Sequence, residues 1–349
     1  AAAMLVQASP ISAVAQTLVI VRISGDRPPD LTATAERIPT TLGRVAAREA
    51  FEASHSSPAA VLDDDVLQSW VQAAEGALEL VGLGDARGAV RELQRVGQFS
   101  ASAVESLNRT ASHRETVLNT CLLLVRSLLA TDRATEARAQ VHECLRLSPM
   151  TQPDERSHPP QVLSLLAEVS EEVRQQNAVL SVRSVGRQGC TVRINGVRVN
   201  VTPAELLHFP EGGEYRVQVE CDQRRGRVHR VILGGEAEVV VDPRFEEAVS
   251  TDAEGGLVLE YQSTQSARRY ALEDGLTLAR TLGTEVVLAT SQAGGVGLLG
   301  VRVEGGRSVV WRDTLDADFD WEDAHEEATE VATAPAVDEP PVSPGQPSP

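Results

Sequence analysis

Apolar and polar residues alternate along residues 180–241, in short runs with a period of two. Such alternation is typical of strands that bury one face and expose the other. Residues that favour turns stand between the runs, at Asn195-Gly196, Pro210 to Gly213, and Gly234-Gly235. The pattern therefore predicts a small all-β module, which we place at residues 178–245.

The spacing of apolar residues becomes helical over residues 63–177. Two predicted helices, Val117–Ala130 and Arg133–Leu147, are joined only by Thr131-Asp132, so they should be antiparallel neighbours. Further helices are predicted at Val66–Leu80, Ala86–Val96 and Gln161–Gln176. Together these segments predict a helical domain over residues 63–177.

The segments that flank these two modules predict α/β structure. A strand at Thr17–Ser24, helical spacing within Asp30–Phe51 and a short strand at Pro58–Leu62 make a fragment too small to bury its own faces. The C-terminal side predicts a strand, a helix and three more strands, at Gly256–Tyr261, Gln265–Leu282, Glu285–Ser291, Gly297–Glu304 and Ser308–Arg312. We therefore predict that residues 17–62 and 255–313 form one split α/β domain. Two independent small domains are the alternative.

Both ends of the chain have compositions that are unlike a folded domain. Residues 1–15 end in Ala13-Val14-Ala15, an A-x-A pattern that predicts the remnant of a signal peptide. An Ala-rich terminus without such a role is the alternative. Residues 314–349 are acidic and then Pro-rich, so we expect them to be disordered.

Residues 180–241 resemble a PEGA domain, a small β-sandwich of bacterial surface and periplasmic proteins. The matching turn and strand positions are Asn195-Gly196, Thr202-Pro203, Leu206-Leu207, Pro210, Gly213 and Tyr215. The family usually has Gly where this chain has Asn200, and the turn from Pro210 to Tyr215 is one residue longer here. The resemblance implies a β-sandwich fold and a location in the cell envelope, and it implies no reaction.

The helical pair at residues 117–147 resembles a tetratricopeptide repeat (TPR). Matching positions are Leu124, Leu128, Ala137, Val141 and Pro149, whereas Cys144 stands where the repeat usually has Ala. The usual aromatic and Gly positions of the first helix are not kept. In this register Cys121 faces Cys144, which predicts a disulfide between the two helices. The chain is thus predicted to be an α+β multidomain protein, with a split small α/β domain, TPR-like helical hairpins and a PEGA-like β-sandwich.

A second disulfide is predicted between Cys190 and Cys221. Cys190 shares a strand face with Val192 and Ile194, and Cys221 shares one with Val219, so both sulfurs should point into the core of the β module. Pairing within each module is the simplest of the three possible arrangements, and four buried free thiols are the alternative. Disulfides would agree with export to an oxidising compartment.

Composition and motifs give no sign of catalysis. The formal net charge of −18 disfavours nucleic acid and anionic membranes as partners. No apolar run is long enough to span a bilayer, so any membrane contact should be peripheral. Residues 295–300 match G-x-G-x-x-G, but a strand should follow them instead of a helix, which predicts a β turn and no nucleotide site. The seven His residues lack metal-ligand spacing. We therefore predict no catalytic residue, no metal and no cofactor.

Two segments are candidates for binding a partner. Arg224, Arg225 and Arg227 are concentrated at a predicted hairpin, where they would bind an anionic polymer such as cell-wall glycan. A solvated hairpin is the alternative. Phe319 and Trp321 lie in the acidic C-terminal segment, and aromatic residues in such segments often dock into a partner's groove. A solubilising tail is the alternative.

The sequence therefore predicts a non-catalytic scaffold or adaptor of the periplasm or cell envelope, in a bacterial multiprotein assembly for secretion, motility or surface structures. Its partners would be other envelope proteins, bound by a helical groove and by strand edges or loops of the β module. A periplasmic sensor that binds a small ligand or glycan in the α/β domain is the alternative. An enzyme whose site is assembled from distant residues is a third hypothesis.

Overall fold

The chain divides into two compact units, one of residues 1–54 with 247–349 and the other of residues 55–246. The structure is a computed structural model. It describes residues 16–25, 43–176, 178–186, 189–199, 207–222, 224–292, 295–315 and 329–331. The protein has a mixed α+β fold. Across these described ranges, no helix is both long and apolar enough to cross a membrane.

The first unit contains a seven-stranded sheet. Its strands are β1 (Gln16–Ile23), β9 (Val249–Thr251), β10 (Leu257–Tyr261), β11 (Glu285–Gln292), β12 (Gly295–Glu304), β13 (Arg307–Leu315) and β14 (Thr329–Val331). They lie in the order β14-β13-β12-β11-β1-β10-β9. The helices α1 (Arg44–Ser54) and α9 (Thr264–Leu282) pack against each other and against β1 and β10. β1 is parallel to both β10 and β11, whereas all other neighbours in the sheet are antiparallel. The α9 helix is thus the crossover that two strands of the same direction require.

The two segments predicted to form a split α/β domain share this sheet, although their bounds differ from the prediction. The predicted strand at Pro58–Leu62 is wrong, because residues 58–62 form no strand, and residues 55–62 belong to the other unit. There Ser57 exchanges main-chain hydrogen bonds of 3.0 and 2.7 Å with Val228 of the β module. The C-terminal part also starts earlier than residue 255, since β9 pairs with β10.

The G-x-G-x-x-G motif forms part of a strand. Residues 295–300 lie in β12, which pairs with β11 and β13. Gly300 stands opposite Trp311, and a Cβ atom at Gly300 would collide with the indole ring. The Trp311 Nε1 donates to the buried carboxylate of Glu285 at 2.7 Å. The glycine therefore makes room for a side chain of the neighbouring strand.

The segment expected to be disordered is partly strand. β13 continues to Leu315, and Thr329–Val331 forms β14, which pairs with Ser308–Val310. By pairing with the edge of β13, this segment obtains hydrogen-bond partners for its main-chain groups. Composition alone does not reveal such pairing. Phe319 and Trp321 lie outside the described residues, as do residues 1–15 with the predicted signal-peptide remnant.

The second unit begins with six helices. They are α2 (Asp64–Gly82), α3 (Ala86–Ser102), α4 (Val104–Leu107), α5 (Ala111–Leu129), α6 (Ala134–Leu147) and α7 (Pro160–Gln175). The long helices pack in succession, α2 on α3, α3 on α5, α5 on α6 and α6 on α7. Their core is aliphatic and contains the fully buried Leu122, Val125 and Val141.

The β module of this unit consists of two small sheets, one of three strands and one of four. One sheet contains β5 (Leu207–His208), β2 (Val179–Ser184) and β8 (Glu236–Val241). The other contains β4 (Val197–Val199), β3 (Thr191–Ile194), β6 (Glu214–Glu220) and β7 (His229–Ile232). Both sheets contribute to one core around the fully buried Tyr215, whose hydroxyl donates to the Pro210 carbonyl at 2.8 Å. A short helix, α8 (Pro243–Ala248), follows β8.

Candidate functional site

The turn between β3 and β4 is buried against the helices. Asn195 is inaccessible to solvent and has a left-handed φ of 48°. Its Nδ2 donates to the carbonyl of Arg146, near the end of α6, at 2.6 Å. Its Oδ1 accepts from the main-chain N–H of Arg216 at 2.8 Å. The side chain therefore links the last turn of a helix to a strand of the β module.

Gly196 completes this contact because it has no side chain. A Cβ atom there would lie 2.6 Å from the carbonyl oxygen of Glu105, and the φ of 79° is also one that other residues rarely adopt. The Asn-Gly pair, which favours tight turns, thus brings the backbone of the β module directly onto α4.

Asn108 closes the same junction from the helical side. It is fully buried, and its Nδ2 donates to the carbonyls of Leu147 at 2.7 Å and of Asn195 at 2.8 Å. One amide therefore joins the end of α4, the end of α6 and the β3–β4 turn. We call Asn108, Asn195, Gly196 and the ion pairs around them the polar joint.

The ion pairs of the polar joint are largely removed from water. Arg216 pairs with Glu105, and these side chains are 13% and 6% exposed. Glu220 receives both Arg109 and Arg193, the latter at 2.7 Å. Removal of one member of a buried pair leaves a charge without compensation, which typically costs about 3–5 kcal/mol. The network therefore holds the outer face of the four-stranded sheet in one register against the helices.

A groove runs along the helices beside this joint. Its narrow part, the slot, holds about 350 Å³ and lies between α3, α5 and α6. Its wide part, the mouth, holds about 690 Å³ and lies between the ends of α3 and α6 and the β5–β6 turn. Gln98, Ala101 and Glu143 line both parts, so slot and mouth adjoin each other.

The slot has an apolar floor and uncharged polar walls. The residues that line it are Leu93, Gln94, Gly97, Gln98, Ser100, Ala101, Val117, Thr120, Cys121, Leu124, Gln140, Glu143 and Leu147. Glu143 is the single charged residue among them, and its carboxylate is bonded to Arg146. The slot therefore suits a segment that is itself uncharged.

The mouth is rich in carboxylates. Glu143, Glu211 and Glu214 line it together with Arg146 and His142. Arg146 is held in place, since it donates to Glu143 at 2.7 Å and to the main-chain carbonyl of Glu214 at 2.7 Å. Glu211 stands exposed on the β5–β6 turn. The β module thus supplies acidic groups to a groove that the helices form.

The structure joins the four cysteines in pairs within each module. Cys121 of α5 is bonded to Cys144 of α6, with Cα atoms 5.6 Å apart. Cys190 is bonded to Cys221, with Cα atoms 4.4 Å apart. Cys121 also lines the slot, where its sulfur accepts from the side-chain amide of Gln140 at 3.1 Å. The first disulfide therefore fixes two walls of the groove to each other.

The predicted arginine cluster is divided by its contacts. Arg227 donates to Ser56, at 3.0 Å to the hydroxyl and 2.9 Å to the carbonyl, which anchors the segment before α2. Arg225 is exposed and reaches the carbonyl of Ala60 at 3.4 Å. Arg224 is exposed on the same loop between β6 and β7. These residues do not line the groove, and at least Arg227 has a structural role.

A pair of histidines, the buried His229 and the partly buried His55, lies beside α8. His229 Nε2 bonds to the carboxylate of Glu246, and the ring of His55 stands edge-on to that of His229 with centroids 5.3 Å apart. Burial lowers the pKa of His55 to about 4, electrostatic interactions with His229 and Arg227 also lower it, and Glu246 acts in the opposite direction. We therefore expect acid to destabilise the fold around this cluster.

The polar joint has no signature in the sequence. Asn195-Gly196 is typical of a turn, whereas Asn108, Glu105 and Arg216 have no distinguishing pattern. Burial of these polar residues depends on partners that are remote in the sequence. In the described part of the chain, no three His, Cys, Asp or Glu side chains are arranged to hold a metal ion.

Comparison of the chain with protein-family models, with curated proteins and with solved structures finds no match.

Proposed function

We propose that this protein is a non-catalytic scaffold or adaptor of the bacterial cell envelope, and that its groove holds a segment of a partner protein. In this proposal the helices are TPR-like repeats and the β module is a PEGA-like domain. The partners are other envelope proteins of a secretion, motility or surface assembly.

The observation that carries the proposal is the polar joint. A buried network of amides and ion pairs joins the helices to the β module through Asn108, Asn195 and Glu220. Such a network is costly to break, so the groove keeps one shape when no partner is present. A preformed groove saves the entropy that a flexible binder would lose on association.

The compartment is supported by the cysteine chemistry. Two disulfides, Cys121–Cys144 and Cys190–Cys221, are typical of oxidising, exported compartments and rare in reducing ones. The periplasm is the compartment that we propose, because it combines oxidising conditions with the envelope assemblies named above.

Crosslinking in cells tests the proposal. The tagged protein is crosslinked and purified, and the captured proteins are identified by mass spectrometry, in parallel with an Asn195→Asp variant. The carboxylate of that variant cannot donate to the Arg146 carbonyl. We expect the same envelope proteins in every repeat and a weaker yield with the variant. Absence of any reproducible envelope partner would overturn the proposal.

A sensor is the second candidate, and the size of the mouth favours it. The mouth is open to solvent, and its volume of about 690 Å³ falls in the range of small-molecule sites. A ligand that binds only the folded state raises the melting temperature. Thermal-shift screening with cell-wall glycan fragments therefore separates a sensor, which shows a concentration-dependent rise, from a scaffold, which shows none.

A further inference from the structure

We infer that the groove binds an extended segment of a partner protein with two chemically different halves, one apolar and uncharged, the other basic. The uncharged half occupies the slot, and the basic half lies in the mouth. This inference rests on the proposed scaffold function and names the class of segment that the scaffold recognises.

The slot selects against charge. Its floor is formed by aliphatic residues such as Leu93, Val117 and Leu124, and a charged side chain placed there would lose its hydration without a partner. Gly97 leaves open space in the slot wall, because a Cβ atom built there meets nothing within 4 Å. Small or medium apolar side chains can therefore reach the floor.

Side-chain amides can bind the backbone of such a segment. Gln94 and Gln98 are exposed and lie one helical turn apart on α3, on the wall of the slot. Each amide offers a donor and an acceptor, the same pair that a peptide group presents. The main chain of an extended segment can bond to both amides whatever its side chains are. The groove therefore selects the segment by its polarity and charge and not by an exact sequence.

The mouth selects for positive charge. Glu143, Glu211 and Glu214 line it, together with Arg146. Arg146 is already bonded to Glu143, and Arg216 reaches Glu214 at 3.5 Å while it also pairs with the buried Glu105. These four carboxylates and two guanidinium groups leave an excess of negative charge, with Glu211 exposed at the rim. A basic segment is attracted to this region and an acidic one is repelled.

The inference is tested with fluorescein-labelled peptides of equal length and fluorescence anisotropy on the full chain. One peptide pair joins an Ala/Val/Leu half to an Arg-rich half, in both orders, because the direction of the chain in the groove is open. The control pair replaces each Arg by Glu. We expect at least one Arg peptide to bind about tenfold more tightly than its Glu twin at low salt. The preference should shrink as the salt concentration rises, since the mouth is exposed.

Gly97→Leu tests the slot. It fills the slot from a helix position with open space, and we expect binding of the Arg peptide to weaken about tenfold. Gly76→Leu is the matched control, because Gly76 is an exposed glycine of α2 that also has open space around it and lies outside the groove. It should leave binding unchanged.

Glu211→Lys tests the mouth. It reverses one exposed charge, and we expect several-fold weaker binding of the Arg peptide together with a smaller dependence on salt. Glu75→Lys, an equal change of charge at an exposed position of α2, is the control for net charge. Equal effects of Glu211→Lys and Glu75→Lys would show that only the overall charge matters and would overturn the inference.

Two further results contradict the inference. Binding of the Glu peptides as tightly as the Arg peptides removes the acidic mouth from recognition, and failure of all four peptides to bind removes the segment class altogether. Failure of the proposed scaffold function differs from both, because crosslinking in cells would then recover no reproducible partner. If a partner is recovered equally with Gly97→Leu and with Gly76→Leu, the scaffold function stands and the groove is not its site.

Discussion

The side chain of Asn195 donates a hydrogen bond to the main-chain carbonyl of Arg146, with 2.6 Å between the two atoms, so a tight turn of the β module is fastened to the end of a helix. That carbonyl belongs to the last turn of α6, where main-chain oxygens lack partners within the helix. The same Arg146 extends its side chain into the mouth of the groove. The contact that joins the two modules therefore also positions a residue of the candidate site.

Replacement of Asn195 should destabilise the second unit. Asn195→Ala removes two buried hydrogen bonds and places Ala at a φ of 48°, so we expect a loss of about 2–4 kcal/mol in the free energy of unfolding. Urea denaturation measures it. Asn195→Gly keeps the backbone conformation accessible, so its smaller loss isolates the hydrogen bonds. Equal stability of Asn195→Ala and the parent protein would show that the turn is not a structural contact.

Removal of the Glu220 charge should cost more than removal of an exposed charge of the same type. Glu220→Gln removes the carboxylate that Arg109 and Arg193 share. Because the Glu220 side chain is only 10% exposed, we expect a loss of about 3 kcal/mol in the free energy of unfolding. Glu238→Gln is the matched control. Its pair with Arg183 has side chains more than half exposed, and such pairs contribute about 0–1 kcal/mol. Similar losses for both variants in urea denaturation would argue against a buried joint.

Reduction of the disulfides should lower stability without removing the secondary structure. The sequence separations of the two pairs are 23 and 31 residues. Because each bond restricts the unfolded chain, it should add about 3 kcal/mol to the free energy of unfolding. We expect a lower melting temperature with a reductant by circular dichroism. Alkylation of the unfolded, non-reduced protein followed by intact mass spectrometry should find no free thiol, and modification of any cysteine there would contradict the pairing.

Mild acid should destabilise the second unit through His55. Its pKa is lowered to about 4 in the folded protein from 6.5 in the unfolded chain, chiefly by burial. The stability that neutral His55 contributes is therefore complete above pH 6.5 and is lost as the pH falls from 6.5 towards 4. We allow for its partial exposure and expect about 1–2 kcal/mol.

The pH dependence is measured by urea denaturation at intervals between pH 7 and 4, for the parent protein and for His55→Gln. The variant lacks the titrating ring, so its stability should fall less steeply across this window. Burial also lowers the pKa of His158, so some dependence on pH will remain. An identical slope in the two proteins would exclude His55 as the source.

The periodic patterns of the sequence determined most strands and helices. Alternation located β3 and β6 and placed Cys190 and Cys221 on inward faces, because a strand sends successive side chains to opposite sides whatever its partners are. Helical spacing and a short connection likewise placed α5 beside α6. The start of α5 was predicted too late, since the helix begins at Ala111 and not at Val117: its first turns are polar and lack the apolar spacing.

The tertiary structure alone decided which polar residues are buried and where short segments pair. The Asn195-Gly196 turn looks like any solvated turn in the sequence, and its burial depends on α4 and the end of α6. Ser57 pairs with Val228, and Thr329–Val331 pairs with β13, although neither segment has a strong periodicity of its own. A periodic pattern shows which face of a segment must pack against an apolar surface. Hydrogen bonds and ion pairs between distant segments depend on which neighbour the fold supplies, and that is set by the packing of the whole unit.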